Sequence, residues 1–179
     1  IEALMLHPVL TNTFAADRLA AQAQMIAALV AGVDEEAAHW RPAADAWSIV
    51  EVINHLYDEE RADFRTRFDL TLHQPEADWP PIDPQGWVTA RAYNERTLAD
   101  SLHDFLAERE RSVLWLRTLG AINLASEHRH PIFGSMSAGE LLAAWLAHDC
   151  LHIRQLNEIR YAWLAAMTTP YAVGYAGDW

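Results

Sequence analysis

The sequence predicts an all-α fold, and within that class a four-helix bundle, from three observations. Only seven of the 179 residues are glycine, alanine is abundant and 51% of the residues are hydrophobic. Apolar residues recur about every 3.6 positions over four long segments, the spacing of helices with one buried face. One long connection separates the middle two segments, as in some bundles. We expect a single domain over residues 1–179, because a chain of this length buries a sufficient core without a disulfide or a metal.

The first two helices are predicted over residues 10–31 and 48–72. Gly32 is a suitable stop for the first helix, because glycine is favoured just after the last helical residue. The second helix begins at Ser48, and Glu51 follows three residues later. A serine and a glutamate at this spacing form a capping box, in which each side chain bonds the backbone of the other residue.

The third and fourth helices are predicted over residues 89–119 and 138–163. The third ends before Gly120. The fourth follows Ser137, and Glu140 again stands three residues farther on. The same capping signal therefore marks the beginning of both the second and the fourth helix.

A proline-rich connection joins the second and third predicted helices. Residues 73–87 contain four of the eight prolines and two tryptophans, Trp79 and Trp87. Because proline cannot continue a helix, we expect an irregular crossover or lid, with tryptophans that cover the site or meet a second subunit. An irregular tail is expected over residues 168–179, which include a proline and two glycines.

The charged residues exclude several classes of function. There are 25 acidic and 13 basic residues, a formal net charge of -12, and every basic residue is arginine. No basic stripe is present, so nucleic acid is not an expected partner. The absence of lysine excludes a P-loop lysine, a Schiff base and a pyridoxal phosphate anchor.

The chain is expected to be cytoplasmic and not embedded in a membrane. No uncharged apolar run approaches the roughly 20 residues of a membrane span, and the first residues do not resemble a signal peptide. Cys150 is the single cysteine, which excludes an internal disulfide. On the predicted fourth helix it points away from the histidines discussed next, so we interpret it as a structural thiol.

Two histidines on the fourth helix are candidate metal ligands. His148 and His152 are four residues apart, and both fall inside the apolar stripe of that helix. Two imidazoles on a core face are costly to desolvate unless they are hydrogen-bonded or bind a metal. Helices use this spacing to offer two nitrogens to one ion, although neighbouring polar groups could instead satisfy both rings. Asp149 lies at the edge of the stripe, as a partner of a ligand or as a simple boundary residue.

A third candidate, His55, lies at the flank of the apolar stripe of the second helix. It completes a set of three histidines, or it is an ordinary boundary residue. Glu59, one turn later, is the candidate catalytic residue, as a general base, a fourth ligand or a group that orients a ligand. The alternative is a solvated carboxylate. More broadly, we expect a solvated charged face on this helix, formed by Asp58, Glu59, Glu60, Arg61, Arg65 and Arg67.

Two stretches of the chain resemble the DinB/YfiT-like superfamily. One is Trp40-Arg41-Pro42 followed by WSIVEVINHLYD at residues 47–58. The other is Phe133-Gly134, Ser137 and ELL at 140–142, followed by HDCLHIRQL at residues 148–156. The resemblance covers most of the chain. It implies a four-helix bundle, often dimeric, in which three histidines hold a divalent metal.

Carried over by position, the resemblance implies His55, His148 and His152 as the metal ligands. It implies a metal-dependent enzyme acting on a small molecule, either a hydrolase or a transferase that uses a low-molecular-weight thiol. A non-catalytic metal-binding or ligand-binding bundle is the alternative. Three imidazoles suit zinc, nickel, iron and, with added oxygen ligands, manganese. A homodimer is a further expectation of the resemblance.

Other constellations are weaker. His148 to His152 matches HExxH with aspartate in place of glutamate, but no histidine follows His152 to serve as the third ligand of a protease. A ferritin-like site needs Glu-x-x-His on two helices, and the match from Glu36 to His39 lies just past the first predicted helix. His128 and His130 precede the fourth helix, where they line the mouth of a pocket or lie exposed in a loop.

Overall fold

Four long helical stretches build the structure, a computed structural model that describes residues 10–130 and 134–179, with the side chain of His130 excepted. The predicted bundle of four helices is thereby confirmed. In chain order the helices are α1 (Asn12–Val30), α2 (Glu35–His39), α3 (Ile49–Asp58), a π-helical turn (Glu59–Phe64), α4 (Arg65–His73), α5 (Pro84–Ala90), α6 (Leu98–Thr118) and α7 (Ala138–Met167). No helix in the described ranges is both long enough and apolar enough to cross a membrane.

The four long stretches are α1, α3 continued through α4, α6 and α7. Helix α1 packs against α6 and α7, and α3 packs against the same two helices. The first and second long stretches therefore lie at diagonal corners of the bundle. Two apolar clusters fill it, one around Ile53 and Phe105 and the other around Phe68 and Trp145. Burying each such side chain contributes about 1.5–3 kcal/mol.

Both predicted capping boxes are present. The hydroxyl of Ser48 accepts a hydrogen bond from the backbone of Glu51 at 3.2 Å, and the carboxylate of Glu51 accepts one from the backbone of Ser48 at 2.8 Å. Ser137 and Glu140 form the equivalent pair, at 3.2 and 2.7 Å. Helices α3 and α7 consequently begin at the residues that the sequence indicates.

The crossover differs from the prediction, because the third long helix begins at Leu98 and not near residue 89. Pro84 instead begins the short helix α5, whose first turn is capped by Asp83 through the backbone N–H of Gly86 at 2.9 Å. Ala92 then adopts a left-handed conformation, with φ of 49°, which ends any helical continuation. A new cap at Thr97 starts α6. The apolar spacing predicts one continuous helix over residues 89–119, but these local caps and turns divide that segment.

A β-hairpin precedes α7 and was not predicted. Strands β1 (Glu127–His130) and β2 (Gly134–Ser137) are antiparallel, and Glu127 pairs with Ser137. His128 is buried: its ring stacks on Trp79 at 4.2 Å between centroids, and its Nδ1 lies 3.0 Å from the carbonyl oxygen of Pro75. The expectation of an exposed loop is therefore wrong for His128. The side chain of His130 and residues 131–133, including Phe133 of the resemblance, lie outside the described residues.

The charged face predicted for the second long helix is also wrong in its main feature, since its carboxylates are buried. Part of this stretch is the π-helical turn Glu59–Phe64, which ends where the backbone N–H of Arg65 bonds the carbonyl of Glu60, five residues back. A π-turn adds a residue to the helical turn and so changes which side chains face inward. The exposed fractions are 2% for Asp58, 5% for Glu59, 1% for Glu60 and 8% for Asp63.

Candidate metal centre

The three histidines predicted as ligands meet at one point in the bundle. His55 projects from α3, and His148 and His152 project from adjacent turns of α7. The Nε2 atom of His148 lies 3.3 Å from Nε2 of His55 and 3.1 Å from Nε2 of His152. One ligand atom from each ring falls within 4.8 Å of the other two. Among the histidine, cysteine, aspartate and glutamate residues in the described part of the chain, these three form the group that could hold an ion.

The histidines lie in an apolar environment that keeps them neutral. The ring of Trp47 packs on His55 at 4.8 Å between centroids, and Phe64 packs on His148 at 5.0 Å. Burial, aided by the charge of His152, lowers the pKa of His55 to about 3. Burial, aided by the charges of His152, His55 and Arg109, lowers the pKa of His148 to about 2. Burial also lowers the pKa of His152. Near neutral pH, each ring therefore has one nitrogen lone pair available.

The outer nitrogens of the rings are held unequally. Nδ1 of His152 lies 2.8 Å from the side-chain oxygen of Gln155. Because an amide oxygen only accepts, this contact places the proton of His152 on Nδ1 and leaves Nε2 free to bind a metal. The Nδ1 atom of His55 is buried and has no hydrogen-bond partner among the described residues. Gln155 is thus the residue that orients a ring of the cluster.

The convergence of the three Nε2 atoms favours a bound cation. A proton on His148 Nε2 can form a hydrogen bond to Nε2 of His55 or of His152, but not to both. The Nε2 atom that is left out then lies against His148 Nε2 with no hydrogen between them. A cation between the three rings would accept all three lone pairs together. Neutral imidazoles are ligands of zinc, nickel and iron, so the chemistry of this donor set fits the metals expected from the sequence.

A cavity of about 840 Å³ gives access to this cluster. His55 and His152 line it, whereas His148 does not, so one edge of the cluster faces the open space. Trp47 and Trp179 contribute to the walls, and Trp79 and Trp87 do not. The two crossover tryptophans pack elsewhere: Trp79 stacks on His128, and Trp87 lies under the guanidinium of Arg91. Neither of the two crossover tryptophans is therefore a wall of this cavity.

Glu59 and Asp149 occupy different surroundings from the histidines. Burial, the charge of Asp63 and a hydrogen bond to Asp63 raise the pKa of Glu59 to about 8. Its role as a general base stays a prediction. Asp149 is fully buried and receives two hydrogen bonds from the guanidinium of Arg109, at 2.5 and 2.9 Å. It is thus a partner of Arg109.

Sequence reasoning missed Gln155 and Arg109. Gln155 stands three residues after His152, a spacing at which helical side chains meet, so that position could have been suspected. Arg109 gave no local signal, because its partners Glu60 and Asp149 are distant in sequence. Cys150 is exposed and accepts a hydrogen bond from Gln22 at 3.3 Å, away from the histidines.

Comparison with known proteins agrees with the fold and the resemblance. The family model described as DinB superfamily matches residues 18–156. Uncharacterized protein YuaE of Bacillus subtilis (strain 168) is 25% identical over 143 residues, covering 72% of this chain and 86% of that protein. The solved structure of YfiT from Bacillus subtilis, described as "a probable metal-dependent hydrolase with an unusual four-helix bundle topology", superposes with a TM-score of 0.73 at 18% identity. The superposition covers 86% of this chain and 89% of YfiT. With most of its length matched by the family model, the chain belongs to the DinB superfamily.

Proposed function

We propose that this protein is a metal-dependent enzyme acting on a small organic molecule, with hydrolysis as its reaction. One observation carries the proposal: three neutral imidazoles converge at the wall of a cavity large enough for a small molecule. A catalytic metal centre needs both features, since protein ligands fix the ion while an open side admits water and substrate.

His55, His148 and His152 would hold the divalent ion. When bound, the ion would supply Lewis-acid chemistry, which polarises a substrate and makes water or a thiol more acidic. Gln155 fixes the tautomer and the orientation of His152. The ring of Phe64 packs on His148, the histidine that does not line the cavity, and shields that side of the cluster from water.

Hydrolysis is the leading reaction because YfiT, which has the same fold, is described as "a probable metal-dependent hydrolase". Thiol transfer is the second candidate, since the same centre beside an open cavity would also accept a low-molecular-weight thiol. The cosubstrate would supply the sulfur in that reaction, so the exposed Cys150 takes no part.

The proposal is tested by elemental mass spectrometry of untagged protein, comparing wild type with the variant His148→Ala/His152→Ala. We expect near-stoichiometric divalent metal in the wild type and its loss in the variant. His73→Ala is the matched control, because this exposed histidine contacts only Asp69 of its own helix among the contacts described. Circular dichroism confirms that all three proteins are folded.

Activity is then measured on the metal-loaded protein with panels of esters, amides and thiol acceptors. Turnover that depends on His148 and His152 supports an enzyme, and the panel that reacts separates hydrolysis from thiol transfer. Metal without turnover would favour a non-catalytic binding protein. If zinc, nickel, iron and manganese all fail to bind, the metal-dependent function is refuted.

A further inference from the structure

The cavity beside the three histidines carries negative charge. Asp45 and Glu158 are its charged side chains, the amides Gln85 and Gln155 add neutral polar groups, and no arginine is among its described lining residues. We propose that the walls of this cavity favour uncharged or cationic organic substrates over anionic ones. The inference rests on the proposed function, for which it names the class of substrate.

The two carboxylates are not neutralised from within the cavity. Glu158 has an ion pair with Arg154 at 3.3 Å, but Arg154 is 71% exposed and does not line the cavity. Asp45 is exposed and has no ion pair in the described part of the chain. An anionic ligand would therefore approach two carboxylates, and a cationic one would be attracted by them.

Two further arginines that neighbour lining residues in the sequence do not line this cavity. Arg41 precedes the lining residue Pro42, yet its guanidinium is paired with the buried carboxylate of Glu51. Arg160 lines an adjoining cavity of about 420 Å³, which shares Tyr161 and Trp179 with the first and also contains Asp34. Arginine is the usual residue for carboxylate and phosphate recognition, because its donors match both groups in a bidentate manner. The described lining therefore offers no arginine to such anions.

Aromatic faces add a second preference in the same direction. Tyr161 and Trp179 stack in parallel, with centroids 4.4 Å apart and planes 10° apart, and both line the cavity together with Trp47. Aromatic faces attract cations through their quadrupole and also accept flat uncharged rings. An amine-bearing or aromatic molecule therefore matches these walls, and its reactive group would reach the edge formed by His55 and His152.

This inference also ranks the thiol cosubstrates. Thiols that carry carboxylates, such as glutathione and bacillithiol, would meet Asp45 and Glu158 without a compensating cation in the lining. An uncharged thiol would meet no such repulsion. If thiol transfer is the reaction, an uncharged cosubstrate is the one expected.

The test compares three probes of similar size and different charge: 2-phenylethylamine, 2-phenylethanol and 3-phenylpropionate. Their binding to metal-free protein is followed by NMR, using the indole signals of Trp47 and Trp179. We expect the amine to bind at least about tenfold more tightly than the carboxylate, with the alcohol between them. Metal-free protein is used so that a carboxylate cannot gain affinity by binding the ion.

The contribution of the two carboxylates to this preference is tested with the double variant Asp45→Asn/Glu158→Gln. We expect the preference for the amine to fall to within about twofold, because both carboxylates are removed. Asp17→Asn/Glu110→Gln is the matched control, since it changes the net charge equally at exposed residues outside the cavity. This control should retain the full preference.

Equal affinities for amine and carboxylate in the wild type would overturn the inference. So would an unchanged preference in Asp45→Asn/Glu158→Gln, or the failure of all three probes to bind at millimolar concentration. These measurements require neither metal nor turnover. A protein that binds metal but lacks the charge preference refutes this inference alone, whereas a protein that lacks metal refutes the proposed function alone.

Discussion

Two buried polar clusters draw side chains both from α7 and from the long stretch of α3 and the π-helical turn, and they differ in charge. In the first, His55, His148 and His152 are neutral and turn unshared lone pairs toward one point. In the second, Glu60, Arg109 and Asp149 are linked by ion pairs. His148 and Asp149 are neighbours in sequence, yet each belongs to a different cluster.

The difference is one of completeness. The Arg109 guanidinium contacts Glu60 at 2.9 Å, Asp149 at 2.5 and 2.9 Å, and the carbonyl oxygen of Leu19 at 3.2 Å. Burial alone would lower the pKa of Arg109, but the two carboxylates outweigh it and raise that pKa. The histidine cluster has no such closure. A closed network fixes helix packing, whereas an open set of lone pairs offers affinity for a cation.

The largest expected effect comes from breaking the closed network. Arg109→Leu leaves the buried carboxylates of Glu60 and Asp149 without their partner, so the free energy of unfolding should fall by about 3–5 kcal/mol. Urea denaturation measures this change. Arg117→Leu is the control, because its pair with Asp17 is about half exposed and should contribute less than about 1 kcal/mol. Similar losses in both variants would show that the buried network is not special.

The open cluster should make metal-free protein sensitive to acid. The pKa values of His55 and His148 are lowered in the folded state, so the unfolded chain binds more protons below about pH 6.5. Stability is therefore retained above that pH and is lost as the pH falls toward about 3. Between about pH 7 and pH 5 the loss from these two rings should be about 2–4 kcal/mol.

Urea denaturation at the two pH values, with wild type and His55→Gln/His148→Gln, measures this effect. The variant should lose less stability in acid, since glutamine does not titrate. His73→Gln, at an exposed position, should behave as the wild type does. An equal loss in the wild type and the double variant would contradict the assignment of neutral, buried imidazoles.

Glu59 should show the opposite pH dependence. Its pKa is raised to about 8 in the folded state, so stability is fully present below the unfolded pKa and is lost as the pH rises toward 8. Glu59→Gln imitates the protonated acid, and near pH 8.5 it should be more stable than the wild type by about 1–2 kcal/mol. The gain is moderate because the ionised acid also attracts Arg67.

Thermal unfolding across that pH range measures the effect of Glu59→Gln. Glu110→Gln, at an exposed position on α6, should leave the pH dependence unchanged. If Glu59→Gln is less stable than the wild type at high pH, the buried carboxylate is ionised and stabilising. Retention of activity in this variant would separately refute the general-base role predicted for Glu59.

The smallest expected effect concerns Gln155, the hydrogen-bond partner of His152. Gln155→Leu removes the acceptor of His152 Nδ1, so metal affinity should fall about tenfold. Competition with a chelator measures the dissociation constant. Gln85→Leu alters the cavity at a residue that does not bond a histidine, and its metal affinity should stay unchanged. Equal affinities in all three proteins would show that Gln155 does not position the ring.

The fold and the histidine cluster could be predicted because their signals are local. The capping boxes at Ser48 and Ser137 set where α3 and α7 begin, and each involves only residues within the first turn of its helix. The four-residue spacing of His148 and His152 places both rings on one helical face. His55 was a candidate from its place on the second helix, the family resemblance then implied it as the third ligand, and the structure brings that residue to the other two.

The remaining features could not be read from spacing. The carboxylates of a charged stretch that was expected to be solvated are buried at the π-helical turn and just before it. The first turn of α6 and the β-hairpin depend on Ala92, Thr97 and contacts of the hairpin with the crossover. Arg109 pairs with Glu60, which lies 49 residues before it in the sequence, and with Asp149, which lies 40 residues after it.

The sequence by itself therefore determined the helical class, two helix starts and the ligand pair on one face, because each follows from residues within one or two turns. Only the tertiary structure decided which carboxylates are buried, which arginine pairs with them and which walls surround the histidines. The physical reason is that burying a charge is favourable only when a partner stands opposite it. That partner comes from another helix, so the sequence around the buried charge does not indicate which residue it is.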